Sequence, residues 1–92
     1  MIRSFRHKGL ADLYRHGKAA KIRPDLQGRI IRRLDALNAA RALSDLNVPG
    51  FDFHPLHGFR PTRYSVHLNG PWCITFEWVE GDALRVDLEQ DH

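Results

Sequence analysis

The stretch from Phe51 to Tyr64, FDFHPLHGFRPTRY, brings His54, His57, Arg60 and Arg63 into one short segment. Imidazoles exchange protons near neutral pH and guanidiniums fork onto phosphate oxygens, so these residue types together suit the handling of phosphates. A further histidine, His92, ends the sequence, and the single thiol, Cys73, stands in a different stretch. A thiol reacts when a neighbouring cation or helix end depresses its pKa, and nothing beside Cys73 in the sequence is built for that, so packing is its ordinary role. His54 and His57 are the only closely spaced histidine pair, and no Cys or His partner set follows them. Neither a metal nor any other cofactor is therefore expected. His7, His16 and His67 read as surface residues.

The elements that must position these groups are legible in the periodicity. From Arg63 onward apolar residues fall on every second position in three runs: Tyr64, Val66 and Leu68; then Trp72, Ile74, Phe76 and Trp78; then Leu84, Val86 and Leu88. Period 2 gives a strand one core face and one polar face. The turns at Asn69-Gly70-Pro71 and Glu80-Gly81-Asp82 join the runs into an antiparallel meander. Ser65, His67, Cys73, Thr75 and Glu77 then share its polar face, and Arg85 alternates out of the third run. The aromatic stripe Trp72, Phe76 and Trp78 is read as core.

Upstream, Met1 to Phe5 is an extended start that can add an edge strand. Leu10, Leu13 and Tyr14 share one face of a short helix from His7 to about His16, with Gly17 as its C-terminal cap. Lys18 to Arg23 is a basic connector. Pro24 opens a second helix, with Asp25 complementing its positive end. Leu26, Ile30, Leu34 and Leu37 form its apolar stripe as far as about Ala40, and Arg29, Arg32 and Arg33 point elsewhere. Gly28 in its interior suggests a close approach between elements. A further turn carries Ala42, Leu43 and Leu46 and stops at Pro49-Gly50. Residues 51–64 are read as a loop. The class is α+β: one domain over residues 1–92, with an antiparallel sheet of about four strands packed against two to three helices.

Charge adds a direction to this plan. Residues 1–33 carry ten Lys or Arg against two Asp, a net of +8, whereas the remainder carries four Arg against nine acids, a net of −5. Clustered cations bind polyanions through counterion release, while solvated helix faces are the other explanation of the same charges. No apolar run approaches the roughly 20 residues of a membrane span. The N-terminus lacks the apolar core of a secretory signal, and one cysteine cannot make an internal disulfide, so the expected compartment is the cytoplasm.

The succession of two helices, a short third, HPL-x-G, a VxLNGPWxITFxW hairpin and a terminal VDLEQDH resembles the HigB branch of the RelE-like toxins over essentially the whole chain. The resemblance implies a ribosome-dependent mRNA endonuclease whose sheet face cuts mRNA. Its implied partners are a helix-turn-helix antitoxin, the ribosome and mRNA, with operator DNA reached only through the antitoxin and no membrane involved. His54 matches the family's histidine in HPL and His92 its terminal histidine. Two positions depart: His57 stands where the family commonly has lysine, and Cys73 where it commonly has arginine. The chain also ends Gln90, Asp91, His92 instead of acidic, tyrosine, histidine.

Metal-free RNA cleavage turns the 2′-OH onto the adjacent phosphorus and needs a base, an acid for the departing 5′-oxygen, and cations for the growing charge. The resemblance assigns the proton roles to His54 and His92, places His57 and Cys73 in the same catalytic set, and leaves Arg60, Arg63 and Arg85 as the RNA and phosphate contacts. A thiol at position 73 supplies no charge, so the expected rate is lower by roughly 10²- to 10³-fold, as for loss of one oxyanion donor. Two other readings stand beside an attenuated nuclease: an inactive homologue serving as antitoxin partner and corepressor, and a generic RNA-binding domain.

Overall fold

The computed structural model describes residues 1–90, so the expectation placed on His92 lies outside the described residues. In chain order the elements are α1 (Lys8–His16), α2 (Pro24–Ala39), a 3-10 turn at Leu43–Leu46, β1 (His54–Leu56), β2 (Arg63–Asn69), β3 (Trp72–Val79) and β4 (Asp82–Gln90). The strands form one antiparallel sheet in the order β1-β2-β3-β4. This is the α+β architecture the periodicity implies. No helix among the described residues is long and apolar enough to cross a membrane.

The apolar face of the sheet and the inner faces of the helices make one core. Val66, Leu68, Ile74 and Phe76 from the sheet meet Leu10, Leu13, Leu26, Ile30, Leu34 and Leu37 from the helices, all essentially inaccessible to water. Tyr64, Trp72 and Trp78 pack at its margin. Helix α1 stops at Gly17, whose φ of 76° is left-handed and whose N–H reaches the Leu13 carbonyl. At its other end the His7 ring Nδ1 accepts the Leu10 N–H at 3.2 Å. His7 is thus a helix cap, a role the sequence reading missed.

Several local expectations are corrected. The segment read as a loop contains β1, because His54, Pro55 and Leu56 pair with Ser65, Tyr64 and Arg63. Its three residues make a short edge strand, where Pro55 is tolerated because an edge leaves some N–H groups unpaired in any case. Gly28 marks no close approach, since a Cβ there would meet nothing within 4 Å. Arg33 lies off the apolar stripe, as expected, yet it is not solvated like Arg29 and Arg32. It is buried, its Nε donates to the His67 carbonyl at 3.1 Å, and its guanidinium lies 4.8 Å from the centre of the Phe51 ring. Burial, with Arg29 and Arg32 nearby, lowers its pKa from the ordinary arginine value.

The third run does not alternate as read. The register between β3 and β4 shifts between Thr75 and Glu77, so Arg85 and Val86 together face Phe76 across the ladder. Arg85 has a φ of 47°, the left-handed conformation of a bulge residue. Ala83, Val86 and Leu88 therefore contribute to the core, while Leu84 is carried to the other face opposite Glu77. Ser4 pins the bulge: its Oγ accepts the Arg85 N–H at 2.9 Å, and its carbonyl accepts the Val86 N–H at 3.1 Å. The N-terminal segment runs parallel to β4 through bridges at Ile2–Ala83 and Phe5–Val86, covering that edge as the extended start suggested.

Candidate functional site

Cross-strand register sorts the polar face of the sheet into rows, because residues paired in an antiparallel ladder share a face. His54, Ser65, Thr75 and Asp87 form one row, Leu56, Arg63, Glu77 and Leu84 the next, and His67, Cys73 and Glu89 a third. This face is not simply wet. Arg63, Ser65, Thr75, Glu77 and Cys73 are all buried, whereas His67 at its margin is exposed.

The burial is made tolerable by a connected polar network. Glu77 is the hub: its Oε2 accepts from Arg63 Nη1 at 3.0 Å and its Oε1 from Arg85 Nη1 at 2.7 Å. The second Arg63 nitrogen, Nη2, donates to Thr75 Oγ1 and to the Arg85 carbonyl, both at 3.0 Å. Thr75 in turn donates to Glu89 Oε2 at 2.5 Å. The bulge explains the fit, since the left-handed residue Arg85 supplies both the carbonyl that Arg63 uses and the guanidinium that Glu77 uses. Arg63, expected from the sequence as a phosphate contact, is only 3% exposed and its guanidinium is engaged within the sheet by Glu77, Thr75 and the Arg85 carbonyl. Arg85 remains exposed but is ion-paired to Glu77.

Beside this network the face opens into a groove of about 480 Å³. Leu56, His57 and Phe59 supply the side nearest β1, Ser65, Cys73 and Thr75 the strand floor, and Glu89 and Gln90 the side on β4. His57 is exposed and Cys73 is 7% exposed in the floor, with His67 and Glu89 as its cross-strand neighbours. Arg60 is exposed on the loop between β1 and β2 and, among the described residues, is in no ion pair.

His54 stands in the row of Ser65 and Thr75 without being one of the residues that line the groove. Its Nδ1 lies 2.7 Å from the Asp52 carbonyl oxygen. A carbonyl can only accept, so Nδ1 carries the proton and the neutral ring presents Nε2 as an acceptor. Asp52 itself has a φ of 45°, a conformation aspartate adopts more readily than most residues, and this turn precedes the histidine it orients. Of the residues nominated from sequence, His57 and Cys73 therefore meet in the groove and His54 adjoins it. Phe59, Thr75 and Glu89 were not nominated, and only the alternation of β3 and β4 hinted at the last two.

Comparison with known proteins adds an independent line. The family model described as the RelE-like toxin of type II toxin-antitoxin system HigB matches residues 3–91. An "Endoribonuclease HigB" of Proteus vulgaris is 36% identical over 92 residues, covering 100% of each chain. A "Toxin HigB-1" of Vibrio cholerae serotype O1 is 33% identical over 91 residues, covering 97% of this chain and 96% of the relative.

Proposed function

The chain belongs to the HigB-like toxins of type II toxin-antitoxin systems, and from that premise we propose that it is an endoribonuclease that cuts mRNA on the ribosome by attack of the 2′-OH. The observation that carries the reading is the 2.7 Å contact of His54 Nδ1 with the Asp52 carbonyl, which leaves Nε2 as the acceptor whenever the ring is neutral, in the same cross-strand row as Ser65 of the groove that bears His57. In this scheme Nε2 of His54 takes the proton of the 2′-OH and O2′ bonds to phosphorus. The P–O5′ bond breaks, and His92, outside the described residues, gives the 5′-oxygen its proton. The products are a 2′,3′-cyclic phosphate and a 5′-hydroxyl. His57, when protonated, and Arg60 face the growing negative charge. A cytoplasmic setting and a helix-turn-helix antitoxin complete the proposal, with the exposed cations of α1, the connector and α2 available to both antitoxin and ribosome.

The rate is proposed to be low. Arg63 and Arg85 share Glu77, so neither is a free clamp for phosphate, and position 73 holds a thiol where the reaction profits from a guanidinium. The same observation favours a second reading, in which the chain acts chiefly as the antitoxin's partner and corepressor. Cys73→Arg separates the two. On translating ribosomes it is expected to raise mRNA cleavage by roughly 10²- to 10³-fold, measured by primer extension, and His54→Ala in that background is expected to remove the gain. Equal, negligible cleavage with Cys and Arg at position 73 would favour the corepressor.

A further inference from the structure

The chain has five Phe, two Tyr and two Trp. Phe51 and Phe76 are buried in the core, and Phe5, Tyr14, Phe53, Tyr64, Trp72 and Trp78 pack against it. Phe53, Tyr64, Phe76 and Trp78 touch in succession, with ring centres 5.7, 5.9 and 6.5 Å apart, and Phe5 lies 5.8 Å from Tyr14. Phe59 alone belongs to neither group. It is 48% exposed and stands on the wall of the groove.

Its surroundings give the exposure a purpose. Phe59 follows Gly58, whose φ of 85° is a left-handed turn that an L side chain would strain. Exposed His57 and Arg60 stand on the same loop, on either side of the ring in sequence. Within the groove the polar groups are His57, Ser65, Cys73, Thr75, Glu89 and Gln90, with the Thr75 hydroxyl already paired to Arg63 and to one Glu89 oxygen. A ligand that suits this combination is flat, with an apolar face for the ring and polar edges for the Ser65 hydroxyl, the remaining Glu89 oxygen and the Gln90 amide, and it is attached to negative charge that His57 and Arg60 can meet. A base of single-stranded nucleic acid meets each condition. Proteins that hold single strands pair aromatic platforms with cations in this manner.

We infer that Phe59 is a stacking platform for one unpaired base of the RNA drawn into the groove. The inference rests on the endoribonuclease reading and adds to it the residue that positions the strand. Phe59 carries no proton and meets no reacting atom. It fixes the register of the strand against His54 and His57, and because every base has a π face it does so with little sequence preference.

The test uses the full chain and a fluorescently labelled single-stranded oligoribonucleotide, with a second series in which one base at a time is replaced by an abasic sugar. Anisotropy is measured for the wild type, Phe59→Tyr, Phe59→Leu and Phe59→Ala at two salt concentrations. Phe59→Ala is expected to weaken binding roughly 5- to 100-fold, Phe59→Leu most of that, and Phe59→Tyr less than twofold. One abasic position should weaken the wild type to the same extent and cost Phe59→Ala nothing further. Salt-dependent binding that ignores both the Phe59 substitutions and every abasic position overturns the platform and leaves the nuclease reading standing. Absence of RNA binding by the wild type overturns the platform, while the nuclease reading on the ribosome is decided by the primer-extension assay. A Phe59→Ala defect confined to antitoxin binding assigns the ring to the antitoxin and overturns the proposal as well.

Discussion

Removing the carboxylate of Glu77 tests the polar network at its hub. Glu77→Ala leaves the Arg63 guanidinium, with side chains 3% and 6% exposed in the native pair, buried beside Thr75 and the Arg85 carbonyl without a counter-charge. Breaking a buried pair by removing one partner costs about 3 to 5 kcal/mol. Against a total of about 5 to 15 kcal/mol for an ordinary domain, that is a large share. It corresponds to a fall in Tm of roughly 12 to 40 °C at 4 to 8 °C per kcal/mol. Arg85→Ala is the internal control. Its side chain is 56% exposed, so loss of its 2.7 Å contact to Glu77 should cost no more than about 1 kcal/mol. Replacing both members of the buried pair, Arg63→Met with Glu77→Leu, should recover most of the loss, because two apolar groups leave no orphaned charge. Urea unfolding with unchanged m-values measures all four proteins. If Glu77→Ala costs no more than Arg85→Ala, Arg63 has water to replace its partner and the network is not buried as described.

Two further outcomes follow from the capped and charged ends of the elements. Hydrogen bonding to Arg3 and then to the N-terminal ammonium lowers the pKa of Asp82. A depressed folded pKa means a contribution fully present above the unfolded carboxylate value of about 3.9 and lost as pH falls through the folded one. The stability gap between wild type and Asp82→Asn should accordingly be constant from neutral pH to about 5 and close in acid; a gap unchanged down to pH 2 would refute it. Gly17→Ala places a side chain at φ 76° and should lower stability by about 1 to 2 kcal/mol in urea, although a Cβ there meets nothing within 4 Å.

The sequence declared those elements whose local signals agree with their tertiary setting. The stripe Leu26, Ile30, Leu34 and Leu37 and the alternation of Trp72 to Trp78 announced α2 and β3 because periodicity is the direct image of a one-sided core. Pro24 and Gly17 marked their helix ends for the steric reasons that make them rare elsewhere. The bulge was hidden because Arg85, not glycine, takes the left-handed position, and its support comes from Ser4 at the far end of the chain. That displacement exchanged Leu84 for Ala83 in the core. Strand β1 was concealed by Pro, His and Gly, residues an edge tolerates. At the site, residue types named His54, His57 and Cys73 but could not say that Arg63 is consumed by Glu77, since ion pairs across strands depend on register. Phe59 carried no sequence signal at all: it was distinguished only when every other aromatic had found the core.

His54, adjoining the groove, is proposed to direct the RNA's own 2′-OH against its phosphate. Ribosomes programmed with a defined mRNA, with and without a single 2′-deoxy substitution at the mapped cut, provide the direct measurement when the product ends are identified by mass spectrometry for the wild type and Cys73→Arg. The predicted result is a 2′,3′-cyclic phosphate facing a 5′-hydroxyl, lost on the 2′-deoxy message and lost with His54→Ala. Cleavage that survives the 2′-deoxy substitution, or that leaves a 3′-hydroxyl and a 5′-phosphate, would contradict it.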